Sequence, residues 1–403
     1  MTDPNLSASS PKNLSTTPSK PPFWNDPQKR ALVFQILLVV GLILFFGFIF
    51  NNTLHNLETR GIKTGFGFLD RPAGFGITQT LIPYTEASTF GRTFLVGLLN
   101  TLLVAGLGII FATMLGFTVG VARLSNNWLI SRMALVFIET IRNIPPLLQI
   151  LFWYRAILPL LPAPKQSMSL AELFYLNKRG LTIPAPLTEP AFMWTVWAFF
   201  GAIVLSYLVA RWARYRREAT GQQFPTLWVS LAIIIGLPII VFFFTGSPLS
   251  WDVPALKGFN FQGGVTVIPE LTALLLALTI YTAAFIAEIV RSGIQSVSKG
   301  QTEAASALGL RPNRTLQLVI IPQAMRVIIP QLTSQYLNLT KNTSLGVAIG
   351  YPDLVNVFAG TTLNQTGQAV EIIFMTMLVY LAISLAISLF MNWYNKRMAL
   401  VER

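Results

Sequence analysis

The residues best placed to do chemistry are ionisable and amide groups set inside otherwise apolar runs. Glu139 and Arg142 stand three apart, as do Glu288 and Arg291. On a helix that spacing puts each pair on one face, where opposite charges can neutralise each other. Lys341 has no carboxylate near it in the chain. With Asn342, Thr343 and Ser344 it offers several hydrogen-bond donors in a row, suited to a substrate carboxylate or to a carboxylate on another helix such as Glu139. Gln149 and Gln335 are weaker polar candidates. Charged groups are expensive within a membrane and mark solute paths by default, so the chemistry on offer is recognition and passage of a polar solute. Hydrolytic and metal catalysis find no support. The chain has no Cys and a single His, at position 55, which removes disulfides, most zinc sites and every His-based triad.

The elements that must position these groups are membrane helices. At 53% hydrophobic and 11% charged, with a mean hydropathy of +0.58, the chain carries more apolar surface than a soluble core of its size could hide. Crossing a hydrocarbon layer of ~30 Å takes roughly 20 helical residues. Uncharged runs of that size occur at 31–50, 93–122, 191–210, 224–251 and 372–395. Three further runs, 133–154, 271–290 and 327–351, are interrupted by Glu139 and Arg142, by Glu288 and by Lys341. The fold class is therefore an all-α polytopic membrane protein with about eight transmembrane helices.

Residues 1–30 are rich in Ser, Thr, Pro and Asn and read as a disordered tail. The run at 31–50 is too long for a removed signal peptide and is expected to stay as a first helix. Lys and Arg concentrate on the side shared by the two termini, most compactly at Arg211, Arg214, Arg216 and Arg217, which puts that side in the cytoplasm. The net charge of +13 follows from such flanks beside anionic lipid headgroups and requires no nucleic acid.

Between apolar helices lies a small-residue segment at about 292–326. Ser298-Lys-Gly-Gln301 fits the capping-box pattern, so a short helix is expected to begin there. Glu303 would sit in its first turn, where the helix dipole favours negative charge, and Gly309 would end it in a left-handed cap. Ala304, Ala305 and Ala307 present almost no side chain and permit close approach by another surface. Pro312 can open a second helix, and Pro322 is expected to break or bend the chain before it re-enters the membrane. The segment reads as a docking loop, the plain alternative being a tight turn between two helices.

Glu303-Ala304-Ala305, three residues, Gly309, nine residues, then Val319-Ile320-Ile321-Pro322 resembles the "EAA" loop of ABC-importer inner-membrane permeases, with Val-x-Ile-Pro where the family has Ile-x-Leu-Pro. The flanking stretches Tyr281 to Gln301, Lys341-Asn-Thr-Ser344-Leu and Glu139-Thr-Ile-Arg142-Asn-Ile-Pro145-Pro-Leu-Leu-Gln149 resemble the polar amino acid permeases of histidine, glutamine, arginine and general L-amino acid types. Asn143-Ile144 departs from the Gly-Thr common there. The likeness covers about 93–154 and 269–396, the five-helix core of a type I importer permease. The helix at 31–50 and the pair within about 191–245 are additions to it, and Gly65 to Ile77 is similar to the larger general amino acid permeases.

The resemblance implies a transport subunit of the bacterial inner membrane that is no enzyme and binds no cofactor. It implies a periplasmic segment at 51–92, a permease domain at 93–396 and a cytoplasmic tail at 397–403. A separate ABC ATPase subunit would use ATP, as the absence of a G-x-x-x-x-G-K-[ST] loop also requires. A periplasmic amino-acid-binding protein and a second permease subunit, in a homo- or heterodimer, would complete the assembly. Glu303, Ala304, Ala305, Gly309 and Pro322 would form the coupling loop; Glu139, Arg142, Gln149, Glu288 and Lys341 to Ser344 are the candidates to border the path because polar and charged groups are costly within a membrane. The rival reading is an ion-coupled secondary amino acid transporter, which predicts internal inverted repeats; none is evident between the halves.

Overall fold

The structure, a computed structural model, describes residues 26–59, 61, 64–258 and 260–398. The expected tail at 1–30 lies outside these residues except for its last five, and most of 397–403 lies outside them too. The chain divides into two compact units, one ending at Gly65 and one beginning at Phe66. Within the first, α1 (Pro27–Thr59) is longer than the 31–50 run and carries exposed His55 on helix rather than in a loop. Apolar side chains such as Leu44 and Phe48 are exposed on it, the surface of a helix suited to lipid.

The second unit begins with a short 3₁₀ turn, Gly67–Asp70, followed by α2 (Phe90–Arg123), which starts where the Thr89 hydroxyl accepts the Arg92 amide. Asn127 caps α3 (Trp128–Asn143) through the amides of Leu129 and Ile130. Then Ile144 turns extended before Pro145 and Pro146, the backbone that a following proline imposes. The helix resumes as α4 (Pro146–Leu151), and the two halves meet at 105°. The span expected at 133–154 is thus broken. Gln149 mends the break: its amide donates to the carbonyls of Ile141 and Ile144, both at 3.0 Å. Prolines supply no amide for such carbonyls.

Beyond α4 the chain makes a small β-element, which the helical reading leaves out. In order come β1 (Met168–Leu170), β2 (Phe174–Asn177), β3 (Gly180–Ile183) and β4 (Ala185–Thr188). A helical hairpin follows, α5 (Phe192–Thr220) and α6 (Thr226–Phe244). The chain returns through β5 (Leu249–Asp252), β6 (Ala255–Lys257), β7 (Asn260–Gln262) and β8 (Val265–Val267). The strands leading in pair antiparallel with those leading out, Ala185 with Asp252 and Leu181 with Val267. The hairpin is therefore a closed excursion whose ends meet, an insertion that a core tolerates at small entropic cost. The run expected to 251 stops at Phe244, and its remainder turns into β5.

The core is α2 laid against α7 (Pro269–Gln295). Next come α8 (Lys299–Ala307), α9 (Pro312–Thr315), α10 (Ile321–Asn342), α11 (Leu363–Thr366) and α12 (Ala369–Met398). Ala277, Leu278, Ile286 and Val290 of α7 are buried, as are Ile328 and Ile329 of α10. Gly116 lets α2 approach α7 so closely that an added Cβ would stand 2.6 Å from the Ile286 Cβ. Gly106, by contrast, has open space beside it and takes no part in this packing. Among the described residues seven helices are long and apolar enough to cross a membrane, and the bent α3–α4 pair makes an eighth if counted as one span.

Candidate functional site

The small-residue segment folds as an exposed helix–turn–helix, α8 and α9, the second of which opens the apolar stretch Pro312–Ile349. Ser298 is extended and precedes α8, as expected, but its side chain caps no amide. The capping box does not form because Gln301 looks elsewhere: its side-chain oxygen accepts from Gln323 at 3.1 Å, tying α8 to the start of α10. Glu303 is the fifth helical residue, past the first turn, and exposed. The other end follows the expected chemistry. Gly309 has φ +74°, its amide meets the Ser306 carbonyl, and the Leu310 amide meets that of Ala305. These two bonds close α8 in a Schellman turn.

Only Ala305 of this helix is buried; Ala304, Ala307 and the polar residues are exposed, and Leu308 is 82% exposed. A leucine held out this far beside alanines is an apolar knob on a flat surface, a shape that buries well only against a partner. Pro312 opens α9 as expected. Pro322 does not break the chain. A π turn, Leu316–Ile320, leads directly into α10 with Pro322 in its first turn, and such a widened turn accommodates the missing prolyl amide.

The ionisable candidates fall into two groups. Glu288 and Arg291 pair as the spacing predicts, with Arg291 Nε 2.9 Å from Glu288 Oε2. Glu139 and Arg142 do not form an ion pair: Glu139 is exposed, while the Arg142 guanidinium lies 5.2 Å from the Phe285 ring centroid. Instead α3 packs on α7, and Arg142 shares the electrostatic surroundings of Glu288 as Glu139 shares those of Arg291. All four charges therefore gather at the end of α7 that leads into α8.

The second group lies where α4 meets the 3₁₀ turn Thr343–Ile349. The row of donors expected there does not face one way. Thr343 is buried and donates to the Thr340 carbonyl, Ser344 donates back to the Lys341 carbonyl, and Lys341 is exposed with no ion pair among the described residues. Hydroxyls that bond the preceding turn are the usual outcome at a helix end. Gln149 is buried and occupied with the α3–α4 break, and Gln335 is half-buried. A cavity of about 660 Å³ between α2, α7 and α10 is lined mostly by apolar side chains such as Phe117, Val290, Ile294 and Met325, with Thr118, Ser125 and Asn126 as its polar members.

A third polar site was missed by sequence reasoning. Asp353, in the Tyr351-Pro-Asp turn after the left-handed Gly350, is fully buried. Its Oδ1 accepts the Asn356 amide at 2.8 Å, and the hydroxyl of Tyr380 faces it. Around it, buried Asn100 donates to the carbonyls of Gln79 and Pro352, the Tyr351 hydroxyl donates to the Asn100 carbonyl, and Thr101 accepts the Leu354 amide. This network binds α2, the 72–89 loop and the turn into one piece. The signal was present: a lone Asp between two spans belongs with Glu139 and Lys341 among isolated ionisable residues.

Burial pushes the Asp353 carboxyl up to about 7, against the backbone amides and Tyr380 that favour its charge. Because the folded pKa lies above the ordinary 3.8, the protonated form stabilises the fold; that contribution is complete below about pH 4 and is lost as pH rises through about 7. Thermal stability in detergent should therefore fall between pH 5 and 8 by an amount on the order of 1–4 kcal/mol. Asp353→Asn keeps the acceptor for Asn356 and should flatten the profile and melt higher at pH 8. An unchanged slope would remove Asp353 as its source.

Residues 202–400 match the family described as binding-protein-dependent transport system inner membrane component. The chain is 57% identical over 378 residues, 94% of its length and 96% of the other's, to the putative amino-acid ABC transporter permease protein YhdX of Escherichia coli. It is 52% identical over 396 residues, 97% of this chain and 99% of the relative, to the general L-amino acid transport system permease protein AapQ of Rhizobium johnstonii. It is 44% identical over 409 aligned positions, 94% of this chain and 96% of the relative, to the glutamate/glutamine/aspartate/asparagine transport system permease protein BztB of Rhodobacter capsulatus.

Proposed function

This chain belongs to the amino-acid ABC transporter permeases, the inner-membrane components of binding-protein-dependent transport systems, and from that membership we propose that it translocates a broad set of L-amino acids, acidic and amide side chains included. It is a multi-pass membrane subunit and not an enzyme. Membership also sets aside the ion-coupled secondary transporter.

The observation that carries the mechanism is the exposed α8, with its Leu308 knob and its Schellman end, held to α7 by a short link and to α10 by the Gln301–Gln323 bond. A separate ATPase subunit docks here and hydrolyses the ATP. Glu303, Ala304 and Gly309 form the contact, buried Ala305 seats α8 on its own chain, and Pro322 marks where its motion enters α10. Because α7 lies along α2 through close glycine contacts, a push on α8 moves packed helices as a body rather than bending one. The charges at Glu139, Arg142, Glu288 and Arg291 border the mouth on this side. Lys341, Asn342, Thr343 and Ser344, with Gln149 holding the adjacent break, border the path within. The termini and the basic α5–α6 turn face the cytoplasm, where the lysine and arginine bias belongs. A periplasmic amino-acid-binding protein delivers substrate to the other face, and a second permease subunit, identical or homologous, forms the other wall.

The test is uptake of labelled glutamate, glutamine, histidine and leucine in cells lacking the gene, with and without the wild-type chain restored. Restored uptake of several of these, abolished when the binding protein is absent, is the expected result. Restoration that persists without any ATPase or binding protein would overturn the proposal.

A further inference from the structure

The inserted hairpin ends in a basic site that neither the coupling surface nor the path uses. Helix α5 is 29 residues long, roughly 43 Å at 1.5 Å per residue, more than the ~30 Å hydrocarbon layer needs. Its last turns, from about Arg211, therefore reach headgroup depth, where the exposed rings of Trp212, Tyr215 and Trp228 also belong. There α5 stops at left-handed Gly221 and the chain turns back into α6.

Two cavities meet at this end. One, of about 420 Å³, is lined by Tyr207, Arg211, Arg214, Glu218 and Arg397 of α12. The other, of about 330 Å³, lies in the α5–α6 turn and is lined by Arg214, Arg217, Gln223 and Thr226. Arg214 borders both. Among the described residues no arginine here forms an ion pair, and Glu218 is the sole carboxylate in either lining. Arg216 is committed to Gln222 at 3.0 Å and to the face of Trp212, and Arg211 rests on Tyr215. Among the described residues the Arg214 and Arg217 guanidinium groups have no such partner. A positive flank alone requires only charge; here exposed guanidinium groups from two helices converge on two adjoining polar clefts that share Arg214.

We propose that this hairpin end binds the phosphodiester headgroup of an anionic membrane glycerophospholipid, with Arg214 as the shared ligand and Arg217, Arg211 and Arg397 around it. The planar guanidinium matches phosphate oxygens two at a time, and the neighbouring acyl chains would lie along the apolar faces of α5 and α6. The bound lipid then anchors an insertion that is otherwise tied to the core through its β-ribbon.

The purified full chain, in a neutral detergent, is titrated with phosphatidylglycerol, with phosphatidylcholine, and with inorganic phosphate, and retained adducts are read by native mass spectrometry. Wild type should retain phosphatidylglycerol over phosphatidylcholine by roughly tenfold. Arg214→Gln should bring that ratio to within about twofold, Arg214→Lys should keep part of it, and Arg132→Gln, which removes one charge elsewhere, should leave it unchanged. Equal retention of the two lipids by wild type, or equal effects of Arg214→Gln and Arg132→Gln, would overturn the site. Displacement of the lipid by inorganic phosphate at comparable concentration would make it a site for a free anion and overturn the lipid assignment. A matching elution profile for each variant on size exclusion separates loss of binding from loss of fold.

Discussion

Gly309→Asp is expected to abolish amino acid uptake while leaving the chain in the membrane at its wild-type level. The backbone at 309 is left-handed, with φ +74°, and nothing lies within 4 Å of where a Cβ would be. Aspartate is one of the few L-residues that adopt this conformation readily, so the fold itself is little disturbed. The new carboxylate, however, stands at the C-terminal end of α8, where the helix dipole disfavours negative charge, and on the surface proposed to close against the ATPase. Burying an unpaired charge in an interface costs about 3–5 kcal/mol, more than a hundredfold in the stability of that contact. Gly309→Ala tests the backbone term alone: left-handed alanine costs roughly 1–2 kcal/mol but adds no charge, and should leave part of the transport. Uptake at matched membrane levels, measured by immunoblot beside the labelled amino acid, decides the matter. Loss of Gly309→Asp from the membrane would show that the turn is needed for packing and would remove the docking role.

Gly116→Val should fail in a different way, by losing the folded chain. A Cβ at 116 would stand 2.6 Å from both the Cβ and Cγ2 of Ile286 and 3.0 Å from the Ala283 carbonyl, in the densest helix contact of the core. Neither partner can yield, since Ile286 is fully buried and the carbonyl belongs to α7 itself. Overpacking of this kind costs about 1–3 kcal/mol where side chains can shift and more where backbones must separate. Gly106→Ala is the matched control on the same helix: the space beside it is open, and alanine favours helix over glycine by roughly 1 kcal/mol. Gel-filtration yield and melting temperature should fall sharply for Gly116→Val and stay level or rise for Gly106→Ala. Equal behaviour of the two would place the α2–α7 contact elsewhere.

The turn between α8 and α9 was legible in the chain because its signals are local. Glycine in a left-handed cap, proline at a first helical turn and a run of alanines each act on their own backbone, so Gly309 and Pro312 stand where they were expected. Glu303 falls past the first turn although α8 starts where expected, being the fifth residue from Lys299, and Gln301 bonds Gln323 of another helix, which no local signal shows. The same distinction separates the two ion pairs. Glu288–Arg291 forms at its local spacing. Glu139 and Arg142, with the same spacing, do not, because the packing of α3 against α7 offers Arg142 the face of Phe285.

What the sequence alone determined about this protein is its solvent and its punctuation. Hydropathy depends on composition within a window, so the membrane class, the spans and the exposed α8 follow from runs of residues. The tertiary structure decided what each polar group inside those spans is for. Gln149 mends a helix break, Thr343 turns inward, and Asp353 sits buried among groups from α2, the 72–89 loop and α12. In a medium without water every such group must find its partner within the protein, and for these residues the partners come from elements far apart in the chain.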